Sequence, residues 1–123
     1  MDLGLKDKCA LVLASSSGLG KAVAKELAAE GAKVMLFSPF EEQLEEAQEE
    51  ITAETGNENV AYYCGDMTKA EDIKALVKAA CDKFGPIYAL FNNAGGPPAG
   101  PLNSFDDEAW YRAFAVSYTH LRA

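Results

Sequence analysis

Four short apolar runs alternate with stretches of helical periodicity along this chain. Cys9-Ala10-Leu11-Val12-Leu13-Ala14 is too short for a helix and lacks polar alternation, which predicts a parallel strand covered on both faces. Lys33–Phe37, Val60–Cys64 and Ile87–Phe91 are three further β-rich runs. Between the first two, Ala22, Val23, Leu27 and Ala28 recur at helical spacing, and Gly31 is placed to close that helix. Ser38-Pro39-Phe40 ends the second strand. From Glu41 to Thr55, Leu44, Ala47 and Ile51 form one apolar stripe, and Gly56 closes the segment. Ile73, Leu76, Val77, Ala80 and Phe84 line a third helix ending at Gly85, with Thr68 and Glu71 at capping-box spacing before it. A fourth helix is signalled by Ser104 and Asp107 as a cap and by Trp110 and Phe114 one turn apart.

This βαβαβαβα alternation, with helices long enough to be crossovers, predicts an α/β, doubly wound parallel sheet in the order 3-2-1-4. In such a sheet, ligands bind outside the carboxyl ends of the strands near the switch between strands one and four. The loops after Ala14, after Cys64 and after Phe91 all fall there.

Composition narrows what that sheet can bind. With 123 residues, 49% of them hydrophobic, the chain is expected to build one domain or part of one, around a packed core. Nineteen acidic against eleven basic residues give a net charge of -8, which opposes a nucleic-acid backbone or an anionic membrane surface. The density of glutamates at 42, 45, 46, 49 and 50 reads as a solvated helix face rather than a metal or acidic interaction site. Cys9, Cys64 and Cys81 are widely spaced in apolar surroundings and read as buried thiols of a reducing compartment. No stretch approaches membrane-spanning length and the amino terminus is unlike a signal peptide, so a cytoplasmic location is expected.

The chemistry concentrates in Leu13-Ala14-Ser15-Ser16-Ser17-Gly18-Leu19-Gly20, at the first strand-to-helix switch. Small residues there let the backbone approach a phosphate and leave the first helical N–H groups free to donate to it. A Walker-type loop is excluded, because Ala22 stands where a metal-holding Ser or Thr is required and Ser15 where the loop's first Gly is required. Glycine pairs also serve ordinary turns, as do Asp66 and the Asn92-Asn93 pair.

Taken jointly, three motifs resemble the short-chain dehydrogenase/reductase family over Leu5 to about Phe114. The family's Thr-Gly-x-x-x-Gly-x-Gly fingerprint falls on Leu13 to Gly20, its Asp-Val/Met-Thr motif on Asp66-Met67-Thr68, and its Asn-Asn-Ala-Gly on Asn92-Asn93-Ala94-Gly95. The resemblance implies a Rossmann-type sheet, truncated here after about four strands and four helices, that binds a nicotinamide dinucleotide. The cofactor-binding set it implies is Ala14, Ser15, Ser16, Ser17, Gly18, Leu19, Gly20, Ser38, Asp66, Met67, Asn92, Ala94 and Gly95. Asp66 would accept from the adenine amino group with the Met67 backbone facing the base, and Asn92 with Ala94-Gly95 would pass beside the nicotinamide ribose.

Two departures from the family pattern bear on the cofactor. Ala14 replaces its first Gly and Leu13 its Thr; a negative φ at Ala14 is expected, with the hydroxyls of Ser15 to Ser17 supplying donors beside the N–H groups. Ser38 stands where NAD-specific relatives carry an acidic residue for the ribose 2′-hydroxyl, which admits NADP(H) in preference to NAD(H), although Ser17 and Pro39 occupy places where Arg or Lys often clamps the 2′-phosphate.

The catalytic Ser and Tyr-x-x-x-Lys that the family uses are not identifiable. No Tyr has a Lys four residues on, and Arg122 after Tyr118 is no equivalent. Residues 116–123 resemble an in-frame translation of a transposon-type sequencing adapter, so residues 1–115 are expected to be the cofactor half and 116–123 a foreign tail. Ser117, where the family has a structural Asn, is then no true substitution, and His120, the only His, belongs to the tail. No metal site is expected. The implied parent is a homo-oligomeric oxidoreductase, close in look to 3-oxoacyl-[acyl-carrier-protein] reductases, that moves a hydride between nicotinamide and a small carbonyl or alcohol. This chain alone would be inactive, and its apolar fourth strand, left as an edge, would make it poorly soluble or molten. A non-catalytic nucleotide-binding regulatory module, and a remnant that binds nothing, are the alternatives.

Overall fold

No residue of β1 (Cys9–Leu13) is more than 3% exposed, because the strand is flanked on both edges and covered on both faces. A computed structural model of the chain describes residues 3–91 and 106–108. It sets β1 between β2 (Lys33–Ser38) and β4 (Ile87–Phe91), with β3 (Val60–Cys64) outside β2. All pairings are parallel and the order is β3-β2-β1-β4, as the alternation predicts.

The two-residue period of the strands divides the core. Ala10, Val12, Val34 and Leu36 point to one face, where they meet Ala24 and Ala28 of α1 (Gly18–Ala29) and Leu44, Ala47 and Ile51 of α2 (Glu41–Thr55). Leu11, Leu13, Met35 and Phe37 point to the other, against Ile73, Leu76 and Ala80 of α3 (Ala70–Phe84). The stripe expected on α2 is the one that is buried. On α1 it is displaced: Gly20, Ala24 and Ala28 are buried, whereas Ala22 and Val23 line a surface groove with Leu3 and Leu5. Helix α1 touches the sheet mainly through small side chains, which a hydrophobicity pattern underweights, with Leu27 of the expected stripe packed against the same core.

The capping box expected before α3 does not form. Lys69 occupies the cap position without a side-chain bond. Thr68 instead donates from its N–H (2.9 Å) and Oγ1 (2.7 Å) to Asp66 Oδ1, since a carboxylate two residues back is a nearer partner than a backbone amide ahead. Of the expected fourth helix, Ser104, Trp110 and Phe114 lie outside the described residues.

The glutamates are not uniformly idle. Lys21 pairs with Glu50 and Lys25 with Glu54, tying α1 to α2. Lys21 holds the Glu50 carboxyl below its ordinary value, a contribution present above the usual carboxylate range and lost as pH falls through the lowered value. Glu54 holds Lys25 above its ordinary value, a contribution lost only as pH rises through that raised value. Both pairs are solvent-exposed and stabilise little.

The expectation of three buried thiols is corrected. Cys9 is buried, but Cys64 and Cys81 are exposed: Cys64 ends β3, whose burial falls away toward its carboxyl end, and Cys81 lies on α3 beside the inward Ala80. Burial, and then the neighbouring Cys81, push the Cys9 thiol up against an opposing effect of Lys33. Iodoacetamide is therefore expected to modify Cys64 and Cys81 in the native chain and Cys9 only after unfolding; equal rates at all three would contradict the packing of β1. On β4, Tyr88 and Leu90 are 62% and 48% exposed, an apolar face at the sheet edge among the described residues. Leu90→Lys is expected to lower self-association in light scattering without changing far-UV dichroism, and unaltered scattering would count against that face as the sticky one.

Candidate dinucleotide site

Strand β1 ends because Ala14 turns left-handed, at φ 51°. The expected negative φ is thus corrected: the turn needs a conformation that disfavours any Cβ by about 1–2 kcal/mol, and this chain adopts it with alanine. The compensation is local. Ser15 donates its N–H to the Phe37 carbonyl (3.1 Å), accepts the Phe37 N–H on Oγ (2.9 Å) and donates that hydroxyl to the Val12 carbonyl (2.9 Å). Ser15 is fully buried, so the expectation that its hydroxyl is a donor to phosphate is also corrected. Ser16 Oγ accepts from Ser38 Oγ at 3.0 Å. Of the three serines, only Ser17 is exposed; it is extended, and its side chain does not cap α1.

Helix α1 therefore begins at Gly18 without a cap from the Ser17 side chain, and its first amides point to the carboxyl edge of the sheet. Gly18 is exposed with φ +60°, and Leu19 is exposed beside it. Gly20 is buried against the turn: a Cβ there would lie 2.3 Å from the Ala14 carbonyl oxygen. This contact sets how closely α1 approaches β1, and hence where its amides sit.

The neighbouring loops are bonded into the same edge. Ser38, 1% exposed, donates to Ser16 and accepts the Phe40 N–H at 3.1 Å, and its carbonyl accepts from the Gly65 N–H at 3.1 Å. The Ser38 hydroxyl is thus committed within the protein, while Pro39 and Phe40 stand exposed beside it. After β3, Gly65 packs on Phe37, where a Cβ would come within 2.8 Å of the ring. Asp66 accepts from Thr68 on Oδ1 and donates its N–H to Asp72 Oδ2 at 2.8 Å, forming the turn that the residue type suggests. Met67 is buried in the core below this turn.

Ala14 through Gly20, Ser38, Asp66 and Met67 are therefore brought to one edge of the sheet. Asn92, Ala94 and Gly95 lie outside the described residues. Phe37, Gly65 and Asp72, which hold these loops together, were not singled out by sequence; of the three, only Gly65 carried a signal, as a glycine directly before the Asp66 motif. No cluster of His, Cys, Asp or Glu fit for a metal occurs among the described residues. Nor is any helix there long and apolar enough to cross a membrane.

A parallel sheet whose first helix starts bare-ended at the carboxyl edge, on a small-residue turn, defines a dinucleotide-binding type of α/β protein. The family model for short chain dehydrogenases matches residues 8–121, and the chain belongs to that family. It is 39% identical over 113 residues to an uncharacterised oxidoreductase of Listeria monocytogenes, covering 92% of this chain and 45% of that one. To the D-beta-hydroxybutyrate dehydrogenase of Cupriavidus necator it is 35% identical over 115 residues, covering 94% and 44%. The crystal structure of L-sorbose reductase from Gluconobacter frateurii, complexed with NADPH and L-sorbose, superposes with a TM-score of 0.90 at 30% identity, over 99% of this chain and 46% of that one. The chain spans less than half the length of the relatives it matches.

The two glycines make separable predictions. Gly20→Ala drives a methyl into backbone and is expected to destabilise by about 3 kcal/mol. Gly18→Ala meets open space and bears only the left-handed strain, about 1 kcal/mol. Amide-exchange protection of β1 and α1 measures both, and equal losses would contradict the close contact at Gly20.

Proposed function

We propose that this chain is the cofactor-binding half of an NAD(P)-dependent oxidoreductase, with NADP(H) the preferred dinucleotide. The start of α1 carries the reading: the Ser17 side chain does not cap its first amides, the tight Ala14–Gly20 contact fixes where they sit, and the space over Gly18 is open among the described residues, which suits a pyrophosphate lying on backbone. Ser16, Ser17 and Gly18 to Gly20 would hold the pyrophosphate, Ser38 with Pro39 would border the adenosine ribose, and the Asp66-Met67 loop would border the base. Ser38 brings no carboxylate to repel a 2′-phosphate, which favours NADP(H), and the NADPH complex of L-sorbose reductase is consistent with it. Bound there, the nicotinamide would exchange a hydride at C4 with the carbon of a carbonyl or alcohol, the matching proton moving on the oxygen. Small carbonyl and alcohol compounds, 3-oxoacyl thioesters among them, are the substrates proposed for the whole protein. In this half the residues only bind and orient.

Cys64 offers an internal reporter, because its Sγ lies 3.5 Å from the Pro39 carbonyl, between the two loops assigned to the adenosine. NADPH is expected to slow alkylation of Cys64 while leaving Cys81, which is exposed on α3, unaffected. Pro39→Arg, at an exposed position, is expected to raise affinity for NADPH over NADH by about tenfold through pairing with the 2′-phosphate. No protection of Cys64 at saturating NADPH, or equal gains for both dinucleotides, would contradict the assignment.

A further inference from the structure

We propose that Ser15 is the positioning residue of this site: its buried hydroxyl, clamped between the Phe37 N–H and the Val12 carbonyl, holds Ala14 left-handed and thereby sets the first amides of α1 for the dinucleotide. The inference rests on the dinucleotide reading above and adds a residue that does not touch the cofactor.

The linkage runs through consecutive contacts. Phe37 is paired with Leu13, the last residue of β1, so once β1 turns away at Ala14 the peptide of Phe37 faces the turn. Ser15 takes both of its polar groups, the carbonyl with its own N–H and the N–H with its hydroxyl. To reach them, the residue between Leu13 and Ser15 must reverse the chain sharply, and it does so at φ 51°. Reversal places the Ala14 carbonyl oxygen against Gly20, where nothing larger than hydrogen fits. That contact fixes the start of α1.

Alanine gives this conformation up easily. Without the Ser15 hydroxyl, the Phe37 N–H would be buried without its partner, and Ala14 would gain by relaxing toward negative φ. Its carbonyl would swing off Gly20 and the α1 amides would move with it. Dinucleotide binding would then have to restore the left-handed turn. With glycine at position 14 no such restoration is needed, because glycine occupies that region freely.

A double-substitution cycle on the full chain tests this, with NADPH affinity read by fluorescence. Ser15→Ala is expected to weaken NADPH by about five- to tenfold. The same change in an Ala14→Gly background is expected to leave affinity within about twofold of Ala14→Gly alone. Equal losses in both backgrounds, or no loss in either, would overturn the proposal, since a merely structural serine would not be rescued by a backbone change one residue away. Ala14→Gly alone keeps the proposal falsifiable if Ser15→Ala fails to fold. With the clamp intact it should bring no gain in NADPH affinity, and a large gain would show that Ser15 does not hold the turn. If the unaltered chain binds no NADPH, the dinucleotide reading fails. The linkage is then judged by amide exchange at Ser15, whose N–H bonds the Phe37 carbonyl without help from the hydroxyl: protection lost in Ser15→Ala and regained with Ala14→Gly supports it, and loss unaffected by Ala14→Gly overturns it.

Discussion

A chain leaving a fully covered parallel strand must turn within a residue or two without stranding buried peptide groups, and here that constraint falls on the peptide of Phe37. Ser15 meets it with one N–H and one hydroxyl. Everything on the carboxyl edge follows from this arrangement: Ala14 is left-handed, its carbonyl rests on Gly20, and α1 starts where its uncapped amides face outward. The same strand end carries the next links, since Ser38 bonds Ser16 on one side and accepts from Gly65 on the other. Three loops are thereby fixed to one another mainly by backbone groups and serine hydroxyls, with few large side chains intervening.

Such an edge suits an anionic ligand that lies flat on backbone. The chain as a whole is acidic, and the lysines of α1 at 21 and 25 are drawn toward Glu50 and Glu54 of α2. Under the proposed reading, attraction for phosphate would then come from oriented amides and the helix dipole rather than from these lysines. Their effect depends on position more than on charge, which is why a buried serine can matter as much as an exposed one.

The sheet was legible from sequence because its strands are short apolar runs, β1 and β2 covered on both faces, and because α2 separates Leu44, Ala47 and Ile51 cleanly from its glutamates. The site was legible only as a set of loops. Its residues could be placed by motif, but not the direction of each hydroxyl: Ser15 reads as a ligand donor until its protein partners are seen, and the Ser38 hydroxyl is likewise bonded within the protein. The left-handed Ala14 was hidden because its conformation is imposed by Phe37, distant in sequence. Thr68 misled for a similar reason, since its capping partner was outbid locally by Asp66. The cysteines misled because an apolar sequence neighbourhood does not distinguish an inward from an outward position on an edge strand or helix.

The central claim is that the turn after β1 and the loop after β3 together form one dinucleotide-binding edge. Amide chemical-shift mapping during an NADPH titration tests it most directly. The largest shifts should fall at Ser16 to Gly20 and at Gly65 to Met67, with Asp7, Gly31 and Asn57, which precede the strands at the opposite edge, unmoved. Shifts concentrated at that opposite edge, or none anywhere at saturating cofactor, would contradict it.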